Sequence, residues 1–129
     1  MTRLPAEPSQ AIGAARVLCL LGVAVLLAVG QMLFKLASSR LITGQGPIAL
    51  LSSLVNLPLL GGLLLYGVTT LLWVYLLREL PLSRAYPFMA LAFALVPILS
   101  WFFFREGLDL RYGVGLTLML LGLYLVAAR

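Results

Sequence analysis

Four apolar runs organise the chain, each bounded by charged or turn-forming residues. A helix needs roughly 20 apolar residues to cross about 30 Å of hydrocarbon. The runs lie at about 17–37, 59–77, 85–104 and 110–128. Arg16 opens the first. The second follows Asn56-Leu57-Pro58 and closes at Arg78-Glu79; the third lies between Arg84 and Arg105-Glu106; the fourth lies between Asp109 and Arg129. With so little chain outside the runs, each span has to satisfy its own backbone hydrogen bonds, which predicts helices. The expected fold is an all-α integral membrane protein, a bundle of four transmembrane helices over residues 16–129.

The connecting segments fit that reading. Residues 1–15 hold two prolines and no periodicity, and read as a disordered tail. The first run is longer than a signal-peptide core, and no small-residue cleavage site follows it. In the first loop, GPIALLSSLVN is too short to span and predicts a helical turn or two at the membrane interface. Loops 78–84 and 105–109 are tight and predict antiparallel neighbours.

Composition agrees. Of 129 residues, 63% are hydrophobic, too many for a soluble domain of this size to cover. Cys19 is the single cysteine, so no intrachain disulfide can form. The lack of histidine argues against zinc sites and His-based catalysis, and no metal or cofactor is implied. The net charge of +5 comes from scattered basic residues that read as span flanks rather than a nucleic-acid surface. With the N-terminus inside, Arg3, Arg16, Arg78, Arg84 and Arg129 face inward and Lys35, Arg40, Arg105 and Arg111 outward, a small positive-inside bias compatible with N-in or dual topology.

A few polar and special residues stand out. Leu27, Gln31 and Lys35 form one stripe on span one. Lys35 either snorkels to the headgroups or faces the bundle and binds an anion such as a lipid phosphate, with Gln31 one turn deeper bonding a polar headgroup. Tyr66 and Trp73 share a face of span two, where packing or interfacial anchoring is the default over a ligand platform. Tyr86 opens span three, and Ala90 and Ala94 extend its face with small side chains that leave a groove. Arg84 and Arg105 bracket that span and read by default as solvated flanks. Glu106 has Arg105, Arg111 or a ligand amine as candidate partners. Pro97 lies mid-span and predicts a kink, fixed or hinged; Pro87 is expected in the first turn, where its missing N–H matters less. Gly115 and Gly122 share one face of span four and suit either a dimer interface or packing within the monomer. No Asp or Glu lies inside any span, so the usual device for coupling proton entry to cation export is missing.

The stretches GQMLFKLA, LPLSRAYPFMALAF and FFREGLDLRYGVGLTLMLLG resemble the four-helix form of the drug/metabolite transporter superfamily, over about residues 17–127. That group includes the small multidrug resistance proteins. The chain more nearly resembles the paired flippase subunits for undecaprenyl-phosphate aminoarabinose, used in lipid A modification. Gly30, Gln31 and Lys35 match a GQ…K pattern ending span one, Ala85, Tyr86 and Pro87 an AYP pattern opening span three, and Glu106 the acid after it. The chain departs from the multidrug exporters at Leu27, where they carry a glutamate, and at Met89, where they carry a tryptophan. Without that glutamate, proton-coupled drug export by their mechanism is not expected. The resemblance implies a transporter subunit in the bacterial inner membrane, not an enzyme, acting on a polyprenyl-phosphate sugar. It implies a homodimer or a heterodimer with a paralogous subunit. Lys35, Gln31, Tyr86, Glu106, Arg84, Arg105 and Trp73 are the candidate substrate-binding residues, Gly115 and Gly122 the dimer face, and Pro97 the hinge. A small-molecule exporter and a non-transporting partner of a membrane glycosyltransferase are the alternatives.

Overall fold

The computed structural model describes residues 13–42 and 44–127. It is all-helical: α1 (Ala14–Ser38), α2 (Pro47–Leu54), α3 (Leu57–Leu77), α4 (Leu82–Phe104) and α5 (Leu110–Ala127). Three of these, α1, α3 and α4, are long and apolar enough to cross a membrane; α5 is apolar but shorter. Most of the expected 1–15 tail, and Ala128 at the end of the fourth run, lie outside the described residues.

The helix α1 is the centre of the bundle and packs against both α3 and α4, while α5 rests on α4. Its buried residues Leu20, Val23, Ala24 and Ala28 recur at helical spacing, and the alanines let neighbouring backbones approach. At one end Leu20 and Val23 meet Leu76, Leu80 and Ala85, with Trp73 and Phe88 packed against them. An ion pair from Arg16 to Glu79, at 2.7 Å, ties the start of α1 to the end of α3 at that same face.

Local chemistry sets the helix ends. The Asn56 side chain accepts from Leu59 N–H and so caps α3, with Pro58 where a helix tolerates it. The same side chain donates to the Ser53 carbonyl, joining α2 to α3. The short helix expected in the first loop is α2, whose Ile48 and Leu51 are exposed, as is Val55 just after it.

The helix α4 starts three residues before the expected 85, so Pro87 falls in the second turn rather than the first. Its ring therefore removes a donor that would have reached the Ser83 carbonyl, and Pro97 likewise removes the donor to Phe93. The helix ends at Arg105, whose φ of 53° puts a non-glycine residue in the left-handed region. That conformation costs about 1–3 kcal/mol. It turns the chain sharply and carries Glu106 back over α4.

Candidate functional site

A cavity of about 580 Å³ lies among α1, α3, α4 and α5. Leu27 and Gln31 come from α1, Tyr66 from α3 and Tyr112 from the first turn of α5. The face of α4 supplies Tyr86, Met89, Ala90, Ala92, Phe93, Val96 and Pro97. From Tyr86 to Pro97 that wall is about 16 Å long at 1.5 Å per residue. The volume lies within the range of small-ligand sites. The walls are apolar apart from one amide and three phenols, and no charged side chain lines them.

The polar groups are placed by the packing of α1. Its stripe points Leu27 and Gln31 into the chamber, where Gln31 Nε2 donates to the Tyr66 hydroxyl across the α1–α3 contact. One turn further along, Lys35 Nζ stands 2.8 Å from Glu106 Oε1. Ser100 Oγ donates to the other carboxylate oxygen, Oε2. Glu106 lies beyond the end of α4. The hydrogen bond from Lys35, then that from Ser100, hold its carboxyl below the usual carboxylate range, against an opposing push from burial; the Lys35 charge adds to the lowering. Both partners remain half-exposed, so the pair is open to exchange with a ligand.

The candidates separate by position. Gln31 and Tyr86 line the chamber. Lys35 and Glu106 pair with each other, one turn outside it, so Glu106 takes neither Arg105 nor Arg111 as its partner. Trp73 stands behind the wall: its ring meets Tyr86 edge-on, with centroids 6.2 Å apart, and so steadies that phenol. Arg84 lies in the first turn of α4 and Arg105 caps its C-terminal end, and neither lines the chamber. Ala90 reaches the chamber, but Ala94 is buried in the helix packing. Pro97 is in the wall. Gly115 and Gly122 face open space.

Tyr66 and Tyr112 were missed as site residues. The signal for Tyr66 was its hydroxyl in mid-span, since a phenol in lipid needs a hydrogen-bond partner. Tyr112 carried no comparable signal, because a tyrosine one turn into a span is an ordinary interfacial anchor.

The EamA-like transporter family matches the chain over residues 6–128. The probable 4-amino-4-deoxy-L-arabinose-phosphoundecaprenol flippase subunit ArnE of Enterobacter sp. (strain 638) is 38% identical over 64 residues, 50% of this chain and 60% of that protein. The protein of the same name from Hamiltonella defensa is 43% identical over 56 residues, 43% of this chain and 50% of its own. That from Pectobacterium atrosepticum is 40% identical over 63 residues, 49% and 56% of the two. These matches span only about half the length of the curated relatives. No solved structure matches the chain. The family match over almost the full sequence accords with apolar helices surrounding a chamber: the chain belongs to the EamA-like transporter family of the drug/metabolite transporter superfamily and is a multi-pass membrane protein.

Proposed function

We propose that this chain is a transporter subunit that flips a polyprenyl-phosphate-linked sugar across the bacterial inner membrane, with undecaprenyl phosphate-aminoarabinose as the substrate and lipid A modification as the process served. The observation that carries this reading is the uncharged chamber holding Gln31 beside the Lys35–Glu106 pair. A headgroup crossing the bilayer has to exchange water for fixed polar partners, while its polyprenyl tail stays in lipid. Lys35 offsets the phosphate charge, Glu106 meets the sugar amine, and Gln31 and Tyr86 line the path. The names of the relatives support the same substrate. In this reading α5 spans the membrane with α1, α3 and α4, giving four crossings, and the working unit is a homodimer or a heterodimer with a paralogous four-helix subunit.

The test is transport of the lipid-linked amino sugar into the outer leaflet of proteoliposomes, with Lys35→Ala alongside. The variant should reach the membrane folded and lose transport by at least tenfold, as expected when a charge-assisted contact is removed. Wild-type transport by Lys35→Ala would remove Lys35 from the mechanism. Transport of a quaternary ammonium drug without the lipid would sink the flippase reading and favour a small-molecule exporter.

A further inference from the structure

Resting on the flippase reading and deepening it, we propose that Tyr66 and Gln31 form a seat for the sugar ring of the headgroup, with Gly30 and Gly62 as the positioning residues that set Tyr66 in place. The first argument is the hydrogen-bond inventory of the chamber. Gln31 Nε2 donates one of its two hydrogens to the Tyr66 oxygen. That leaves Gln31 with a second N–H and its carbonyl oxygen, and leaves Tyr66 its own O–H to donate. The pair thus offers donors and an acceptor together, without charge. A phosphate oxygen only accepts and an ammonium only donates, so neither uses the full set. A sugar hydroxyl does both. The remaining walls, among them Leu27, Met89, Phe93 and Val96, suit the C–H faces of a sugar ring. The low dielectric of such a setting strengthens each bond that is made and penalises each one that is missed.

The second argument is how tightly Tyr66 is held. A Cβ on Gly30 would stand 2.6 Å from Tyr66 Cε2 and 2.7 Å from Cδ2, so the phenol lies flush on the α1 backbone. On its other neighbour, Phe34, the ring centroids are 5.1 Å apart. Phe34 in turn lies on α3 at Gly62, where a Cβ would come within 2.6 Å of its Cε1. Each helix therefore offers a glycine to the other's aromatic ring, and the two rings touch. An added methyl at either glycine has to move a ring. The Tyr66 hydroxyl would leave its place against Gln31 as a result. Gly67 on the same helix has nothing within reach of a Cβ, so Gly67→Ala matches the change in helix propensity without touching the seat.

The experiment uses the full chain in lipid nanodiscs and two probes: undecaprenyl phosphate carrying the amino sugar and bare undecaprenyl phosphate. Binding is read by tryptophan fluorescence, since Trp73 abuts the chamber residue Tyr86. Tyr66→Phe keeps the ring and its packing but removes the hydroxyl. It should weaken binding of the sugar-bearing lipid about tenfold and leave the bare lipid unchanged. Gly30→Ala should lose the same discrimination, and Gly67→Ala should keep it. In parallel, the 13C shift of the Tyr66 ring carbon bearing the hydroxyl should move in Gly30→Ala and Gly62→Ala and stay in place in Gly67→Ala. Undiminished discrimination in Tyr66→Phe overturns the sugar seat while leaving the flippase reading intact. A stationary shift in both glycine variants overturns the positioning role. A wild-type chain that binds neither lipid defeats the flippase reading and the seat together, and the shift measurement still decides whether the glycines position Tyr66.

Discussion

The pairing of Lys35 with Glu106 gives the site a pH signature. Glu106 is held below the usual carboxylate range by its bonds from Lys35 and Ser100. A carboxylate whose folded value is depressed contributes stability that is fully present above its unfolded value, about 4.3, and is lost as pH falls through the folded value. Thermal unfolding of the wild type should therefore lose ground to Glu106→Gln as pH drops below about 4. Stability curves that stay parallel down to about pH 3 would show that the pair contributes nothing to the fold. The presence of Lys35 and Glu106 could be read from the sequence, but not their union. They are far apart along the chain, and they meet because Arg105 adopts a left-handed turn that brings Glu106 back toward α1. Arginine gives no sign of that turn, which is usually glycine's. The stripe Leu27, Gln31 and Lys35, by contrast, was legible from spacing alone: Leu27 and Gln31 line the chamber, and Lys35 reaches the ion pair.

Hydropathy reports where lipid begins, whereas helical hydrogen bonding continues past that boundary. This is why α1 begins at Ala14 and α4 at Leu82, each three residues before the apolar run that announced it. The shift matters most in α4, because it moves Pro87 into the body of the helix and leaves two interruptions in one wall of the chamber. The second, Pro97, lies in that wall together with Phe93, whose carbonyl loses its usual donor. A helix lacking that bond can bend there at lower cost than elsewhere. If α4 flexes at Pro97 during transport, Pro97→Ala restores the bond and stiffens the helix. Binding of the lipid-linked sugar should stay within about twofold, because the wall keeps its shape, while the transport rate falls by about tenfold. Equal rates in the two proteins would make the proline a fixed shape rather than a hinge.

Three helices account for the tight packing of the chain, with α1 held between α3 and α4 and fastened by an ion pair near each end. These two pairs join α1 to different neighbours, to the end of α3 at one face and to the loop after α4 at the other. The helix α5 stands apart from this arrangement. It touches α4, gives Tyr112 to the chamber, and leaves Leu110, Leu118, Tyr124 and Leu125 largely exposed. In lipid, exposed apolar surface carries no penalty, so exposure alone does not call for a partner. The glycines are more informative. Gly115 and Gly122 lie two turns apart on one face, and a Cβ at either would meet nothing within 4 Å. Close packing inside the monomer, one of the two uses the spacing allowed, therefore does not explain them. In the proposed pair of subunits this face receives a second helix, from another copy or a paralogous subunit, which a side chain there would hold off. Gly115→Leu and Gly122→Leu should thus fold as the wild type does, since the chain has room for them, yet fail to associate. Single-molecule photobleaching in dilute nanodiscs reads this directly: two steps for the wild type and one for the double variant. Transport should vanish with the second step, because the proposed working unit is a pair of subunits. Two-step bleaching in the double variant would place the interface elsewhere on the bundle and return α5 to the lipid.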